Sequence, residues 1–78
     1  MKEYRIKLDS ISDVKEFVGI VCGYTFEVDL QSGRYSVDAK SIMGIFSLDL
    51  GKTLEMKVHS DGEDAENFLD DVKKFVVA

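Results

Sequence analysis

The sequence has no proline and no tryptophan, a single cysteine and a single histidine. Each shortage excludes something. Without proline there is no stiff polyproline linker, which fits a compact chain joined by short turns. Cys22 alone can form no internal disulfide and no thiolate metal cluster. A reducing cytoplasm is therefore the expected compartment. No stretch approaches the roughly 18 apolar residues of a membrane span. The opening MKEYRIKLDS is charged throughout and lacks the apolar core of a signal peptide. Basic residues are also in short supply, 10 against 15 acidic, for a net charge of −5. That argues against nucleic-acid binding, which depends on neutralising phosphates with Lys and Arg, and against anionic membrane surfaces.

What remains is 78 residues, 45% of them apolar. That length allows one domain, residues 1–78, with one modest core. Hydrophobic alternation marks four strands. Tyr4, Ile6 and Leu8 share one face of the first, with Arg5 and Lys7 on the other. Phe26, Val28 and Leu30 mark the second, and Tyr35, Val37 and Ala39 the third. The turn between these two is expected at Ser32-Gly33. Leu54, Met56 and Val58 mark the fourth. Helical spacing appears at Val14, Phe17, Val18 and Val21, with Ser10 and Asp13 as a capping pair and Gly23 as the stop. It returns at Ala65, Phe68, Leu69, Val72, Phe75 and Val76, where Ser60 and Glu63 form the capping pattern. The order β-α-β-β-α-β-α, with wet outer strand positions, implies an α+β open-faced sandwich. Its four-stranded antiparallel sheet would carry three helices on one face.

The segment AKSIMGIFSLDL, residues 39–50, carries the chemistry worth weighing. Ser41 suits the N-cap of a short helix. Ile42, Met43 and Phe46 are spaced to share one helix face, while Ile45 and Leu48 turn inward. An exposed apolar cluster on a small domain marks a contact surface. The other candidates are weaker. His59 falls on an outward position with no cysteine or carboxylate at ligand spacing, so no metal site is expected. Cys22 is expected to pack. Glu63-Asp64 and Asp70-Asp71 read as a solvated helix face. No glycine-rich phosphate loop and no triad spacing is present, and no cofactor is implied.

Element order and the segment KSIMGIFSLDLGKTLEMKVHSDGEDAENFLDDVKKF resemble HPr, the small bacterial phosphocarrier family of the sugar phosphotransferase system. Lys40-Ser41-Ile42-Met43-Gly44 is similar to the regulatory-serine motif of the family in Gram-positive bacteria. Asp61-Gly62-Glu63-Asp64-Ala65 is similar to its entry into the last helix. The resemblance implies Ser41 as a phosphosite and Lys40, Ile42, Met43 and Phe46 as a docking patch. Its implied partners are proteins: an HPr kinase/phosphorylase, a catabolite control repressor or enzyme I-like partners. The family's active site is a histidine before the first helix, followed by a small residue, an arginine and a proline. Anchored on Phe17-Val18, the histidine position falls on Ser10, the arginine on Ser12 and the proline on Asp13. Catalytic residues are thus expected to be none, and the chain is expected not to be an enzyme itself. It would be a binding or regulatory module with a degenerate active site. The alternative is a phosphoenolpyruvate-dependent phosphocarrier that uses another acceptor residue.

Overall fold

The computed structural model describes residues 2–77. The chain runs β1 (Lys2–Lys7), α1 (Ile11–Val21), β2 (Val28–Ser32), β3 (Tyr35–Asp38), α2 (Ile42–Phe46), β4 (Thr53–Val58) and α3 (Glu63–Val72). A 3-10 turn (Lys73–Phe75) and β5 (Val76–Val77) follow. All strand pairs are antiparallel, in the order β3-β2-β4-β1-β5. The sheet therefore has five strands, not the expected four. Phe75 and Val76 fit the helical spacing of α3, but the helix ends at Val72. The β-branched pair Val76-Val77 turns extended and pairs with Ile6 and Arg5.

Alternation sorts the sheet as anticipated except on β3, where Tyr35 is 70% exposed and Val37 half-buried. Ile6, Val28, Leu30, Leu54, Met56 and Val58 are buried beneath the helices. Against them α1 sets Val14, Phe17 and Val21, and α3 sets Ala65, Phe68 and Val72, each at i, i+3, i+7. No polar or charged side chain is buried among the described residues. Phe17 and Phe68 are fully buried. At about 1.5–3 kcal/mol for each large apolar side chain removed from water, these positions dominate the core. Phe17 meets Phe75 edge to face at 5.9 Å between ring centres.

Several local expectations need correction. Phe26 lies before β2 rather than within it, where it clusters with Tyr24 and Phe68 at 5.2–5.6 Å. The hairpin turn centres on Gly33-Arg34, one residue later than expected, because Ser32 pairs with Tyr35. Gly33 has φ 59°, which suits the first central position of a tight hairpin turn. Gly23 keeps a negative φ; the α1 cap is Cys22, still right-handed, and the Gly23 N–H donates to the Ile20 carbonyl. Cys22 is exposed rather than packed. Ser60 and Glu63 do not form a capping box, because the N-cap of α3 is Gly62 and carries no side-chain cap. The Ser60 hydroxyl instead accepts the Gly62 N–H at 3.4 Å.

Candidate functional site

Two ends of the sheet divide the candidate residues. In the β1–β4 register Lys7 faces Thr53 and Lys2 faces Val58. Ser10 follows β1 at the first end and His59 follows β4 at the second. At about 3.3 Å per strand residue, six paired residues separate them by roughly 20 Å.

At the first end only Leu8, Asp9 and Ser10 connect β1 to α1. The connection is pinned. Leu8 is fully buried and its carbonyl accepts the Gly51 N–H at 2.8 Å. Ser10 is the N-cap of α1, its Oγ accepting the Asp13 N–H at 3.1 Å. The Asp13 carboxylate reaches past the cap to accept the Asp9 N–H at 3.1 Å. This is the expected capping pair with a shorter acid that bonds one residue further back. Asp9 pairs with Lys7 at 3.7 Å. Ser12 is exposed. The hydroxyl of Ser10 is thus committed to its helix, between two carboxylates that repel an incoming phosphate.

At the second end His59 is more than a bare exposed histidine. Its backbone N–H donates to the Glu27 carbonyl at 2.9 Å, and its Nε2 lies 2.8 Å from Asp29 Oδ2. Asp29 in turn faces Asp38 across the β2–β3 pair and Lys57 across the β2–β4 pair. The side-chain hydrogen-bond partner of this imidazole is a carboxylate, which would repel an incoming phosphate.

The short helix α2 packs on β3 and carries the remaining candidates. Ser41 is its N-cap, exposed, with Oγ accepting the Gly44 N–H at 3.1 Å. The Lys40 N–H donates to Asp38 Oδ1 at 2.9 Å, which fixes the approach to the cap. Gly44 permits close packing: a Cβ there would sit 3.2 Å from Ser41 Oγ and 3.3 Å from Val37 Cβ. Ile45 and Leu48 are buried, as their spacing implied. Met43 is 74% exposed and Phe46 37%. Ile42 departs from the expected outward face, because it is half-buried against the core. The apolar surface of α2 is therefore Met43 and Phe46, with Ser41 at its start.

The sequence alone gave no sign of one tertiary contact. Tyr24 donates its hydroxyl to Asp71 Oδ2 at 2.5 Å, tying the α1–β2 connection to α3. The accepting carboxylate, and the repulsion a tyrosinate would meet there, push the Tyr24 pKa up to about 12. Asp71, expected only to be solvated, is a hydrogen-bond acceptor. Among the described residues no three His, Cys, Asp or Glu side chains gather as metal ligands, and no helix is long and apolar enough to cross a membrane.

Comparison with known proteins gives a consistent picture. The family model for the HPr component phosphorylation site of the phosphotransferase system matches residues 13–78. The match begins after Ser10 and Ser12. Among solved structures, HPr-C-His from Thermoanaerobacter tengcongensis superposes with a TM-score of 0.75 at 25% identity, over 95% of this chain and 89% of that one. The Bacillus anthracis phosphocarrier protein HPr gives 0.73 at 23% identity, over 97% and 96%. The Bacillus subtilis catabolite repression protein Crh, solved as a domain-swapped dimer, gives 0.66 at 25% identity, over 94% and 88%. No curated protein matches the sequence.

Proposed function

Because the chain belongs to the HPr family of the phosphotransferase system, we propose that it is a binding or regulatory member that does not carry phosphate on histidine. It acts in the cytoplasm through a Ser41 phosphosite and the Met43–Phe46 surface of α2. The observation that carries this reading is the state of the α1 N-terminus. Anchored on Phe17-Val18, the family's histidine position is expected at Ser10, whose hydroxyl caps the helix. The chain's single histidine, His59, lies at the opposite end of the sheet.

The chemistry supports the distinction. A phosphohistidine holds a reactive N–P bond and titrates near neutrality, which suits reversible transfer. A serine phosphate is an ordinary ester and keeps its phosphoryl group. Ser41 is exposed at the start of a helix that presents Met43 to solvent. A phosphate there would add nearly two negative charges beside an apolar contact surface and change which partners it accepts. The proteins suited to that surface are an HPr kinase/phosphorylase, a catabolite control repressor or an enzyme I-like protein.

One labelling experiment tests the reading. With phosphoenolpyruvate and enzyme I the chain should take up no acid-labile phosphate. With ATP and the family's serine kinase it should gain an acid-stable label that Ser41→Ala abolishes. Acid-labile label in the first mixture would establish the phosphocarrier alternative. Absence of acid-stable label in the second would remove the regulatory role of Ser41.

A further inference from the structure

The outer edge of β3 is open, and its sequence is self-complementary. Ser32 and Tyr35 close a two-residue turn, so alternation directs the N–H and C=O of Tyr35 and Val37 toward β2. The Ala39 N–H continues that pattern by donating to the Val28 carbonyl at 2.8 Å. Ser36 and Asp38 therefore direct theirs outward. The Asp38 carbonyl also accepts the Ser41 N–H at 3.0 Å, so the free donors of this edge are the N–H groups of Ser36 and Asp38. Three usual protections of an edge strand are missing, since β3 has no lysine, no proline and no bulge in its register. Tyr35 is 70% exposed on it.

We propose that this edge binds the same edge of a second copy, antiparallel and centred on Ser36. The register then sets Ser36 opposite Ser36 of the second copy, Tyr35 opposite Val37, and Arg34 opposite Asp38. The last two pairs each occur twice by symmetry. The pairing carries opposite charges at both ends and an aromatic–β-branched pair on each side of the axis, both favourable between strands. Charge explains why the edge seeks such a partner. Asp38 faces Asp29 within its own sheet, and its carboxylate has a backbone N–H, from Lys40, but no cation among the described residues. Arg34 makes no ion pair among the described residues. A second copy supplies each with the other. Two five-stranded sheets would join into one, and α2, packed on β3, would border the seam.

The interface is small, so the dimer is weak, populated at a concentration on the order of 0.1–1 mM. Sedimentation equilibrium and concentration-dependent amide shifts on the full chain, at about 0.15 M salt to screen net repulsion, should show self-association with the largest shifts at Ser36. Arg34→Asp alone and Asp38→Arg alone each place like charges opposite one another twice, and should weaken association by about tenfold or more. Mixed together, the two variants restore Asp–Arg at both ends, and the mixture should recover the dimer. Ser36→Pro removes an outward N–H without breaking a bond to β2 and should leave a folded monomer, checked by circular dichroism. If it fails to fold, the mixing experiment still decides. A chain monomeric up to about 1 mM, or a dimer that ignores the charge reversals and their mixing, would overturn the proposal. The second result would point to strand exchange or another surface.

Discussion

Gly44→Ala and Gly19→Ala should move stability in opposite directions, although both replace glycine inside a helix. Alanine is favoured over glycine in a helix by about 1 kcal/mol. At Gly19, exposed in α1, an added Cβ meets nothing within 4 Å. The propensity gain stands alone there, and stability should rise by about 1 kcal/mol. At Gly44 the Cβ would lie 3.2 Å from Ser41 Oγ, 3.3 Å from Val37 Cβ and 3.4 Å from Ser41 Cβ. Neither neighbour can yield freely. Val37 is a stiff β-branched residue on β3, and Ser41 Oγ holds the Gly44 N–H. Overpacking costs about 1–3 kcal/mol, and part of a cap worth about 1 kcal/mol is lost with it. The costs exceed the propensity gain, so the net loss should be about 1–2 kcal/mol. The two variants should thus differ by about 2–3 kcal/mol. At about 4–8 °C per kcal/mol for a domain of this size, their thermal midpoints should lie on either side of wild type. Urea unfolding checks the same difference independently. A Gly44→Ala protein as stable as wild type, or more so, would refute the claim that α2 is seated on β3 through this glycine.

Three further outcomes follow from the same geometry. Ser10→Ala should cost about 1 kcal/mol in urea unfolding, because it removes the cap of α1; no loss would mean that the hydroxyl is free for other chemistry. Tyr24 should titrate near pH 12 in the folded chain, against the ordinary tyrosine value of 10.0. Because the folded value is the higher one, its contribution to stability is fully present below about pH 10 and is lost as pH rises from there through 12. Ultraviolet titration of tyrosinate should show this late phase and lose it in Tyr24→Phe. Phe17→Ala should cost about 3–5 kcal/mol. That is a large share of the roughly 4–12 kcal/mol expected of a domain this size, so a near-native urea midpoint would contradict its place at the centre of the core.

Much of this architecture is legible in the sequence because burial imposes a period. Strict alternation at Ile6 and Leu8, and at Leu54, Met56 and Val58, leaves one placement for each strand. The i, i+3, i+7 series at Val14 and Ala65 does the same for the helices. The failures occur where period and burial separate. Val76 continues a helical spacing, yet the open side of β1 offers it ladder hydrogen bonds, and the valine pair takes them. Phe26 continues a strand spacing, yet two other rings, Tyr24 and Phe68, draw it into a cluster ahead of β2. Ile42 fits an outward helix face only if α2 stands clear of the core, and a helix seated through Gly44 does not. The Tyr24–Asp71 and His59–Asp29 contacts join residues far apart in sequence, and only strand register and helix packing bring them together.

The register also limits the functional alternatives more firmly than composition can. In this sheet a residue after β4 and a residue before α1 lie at opposite ends of paired strands, so His59 cannot reach the α1 N-terminus by any side-chain rotation. A phosphocarrier role for His59 would require a partner to dock at the Asp29–Asp38 end, where the imidazole is already held by a carboxylate. The α2 surface needs no such rearrangement. Ser41 and Met43 are exposed now, and Phe46 is partly so, on a helix fixed by buried Ile45 and Leu48. A contact surface on α2 is therefore independent of the state of the α1 N-terminus. The two depend on different elements of the fold.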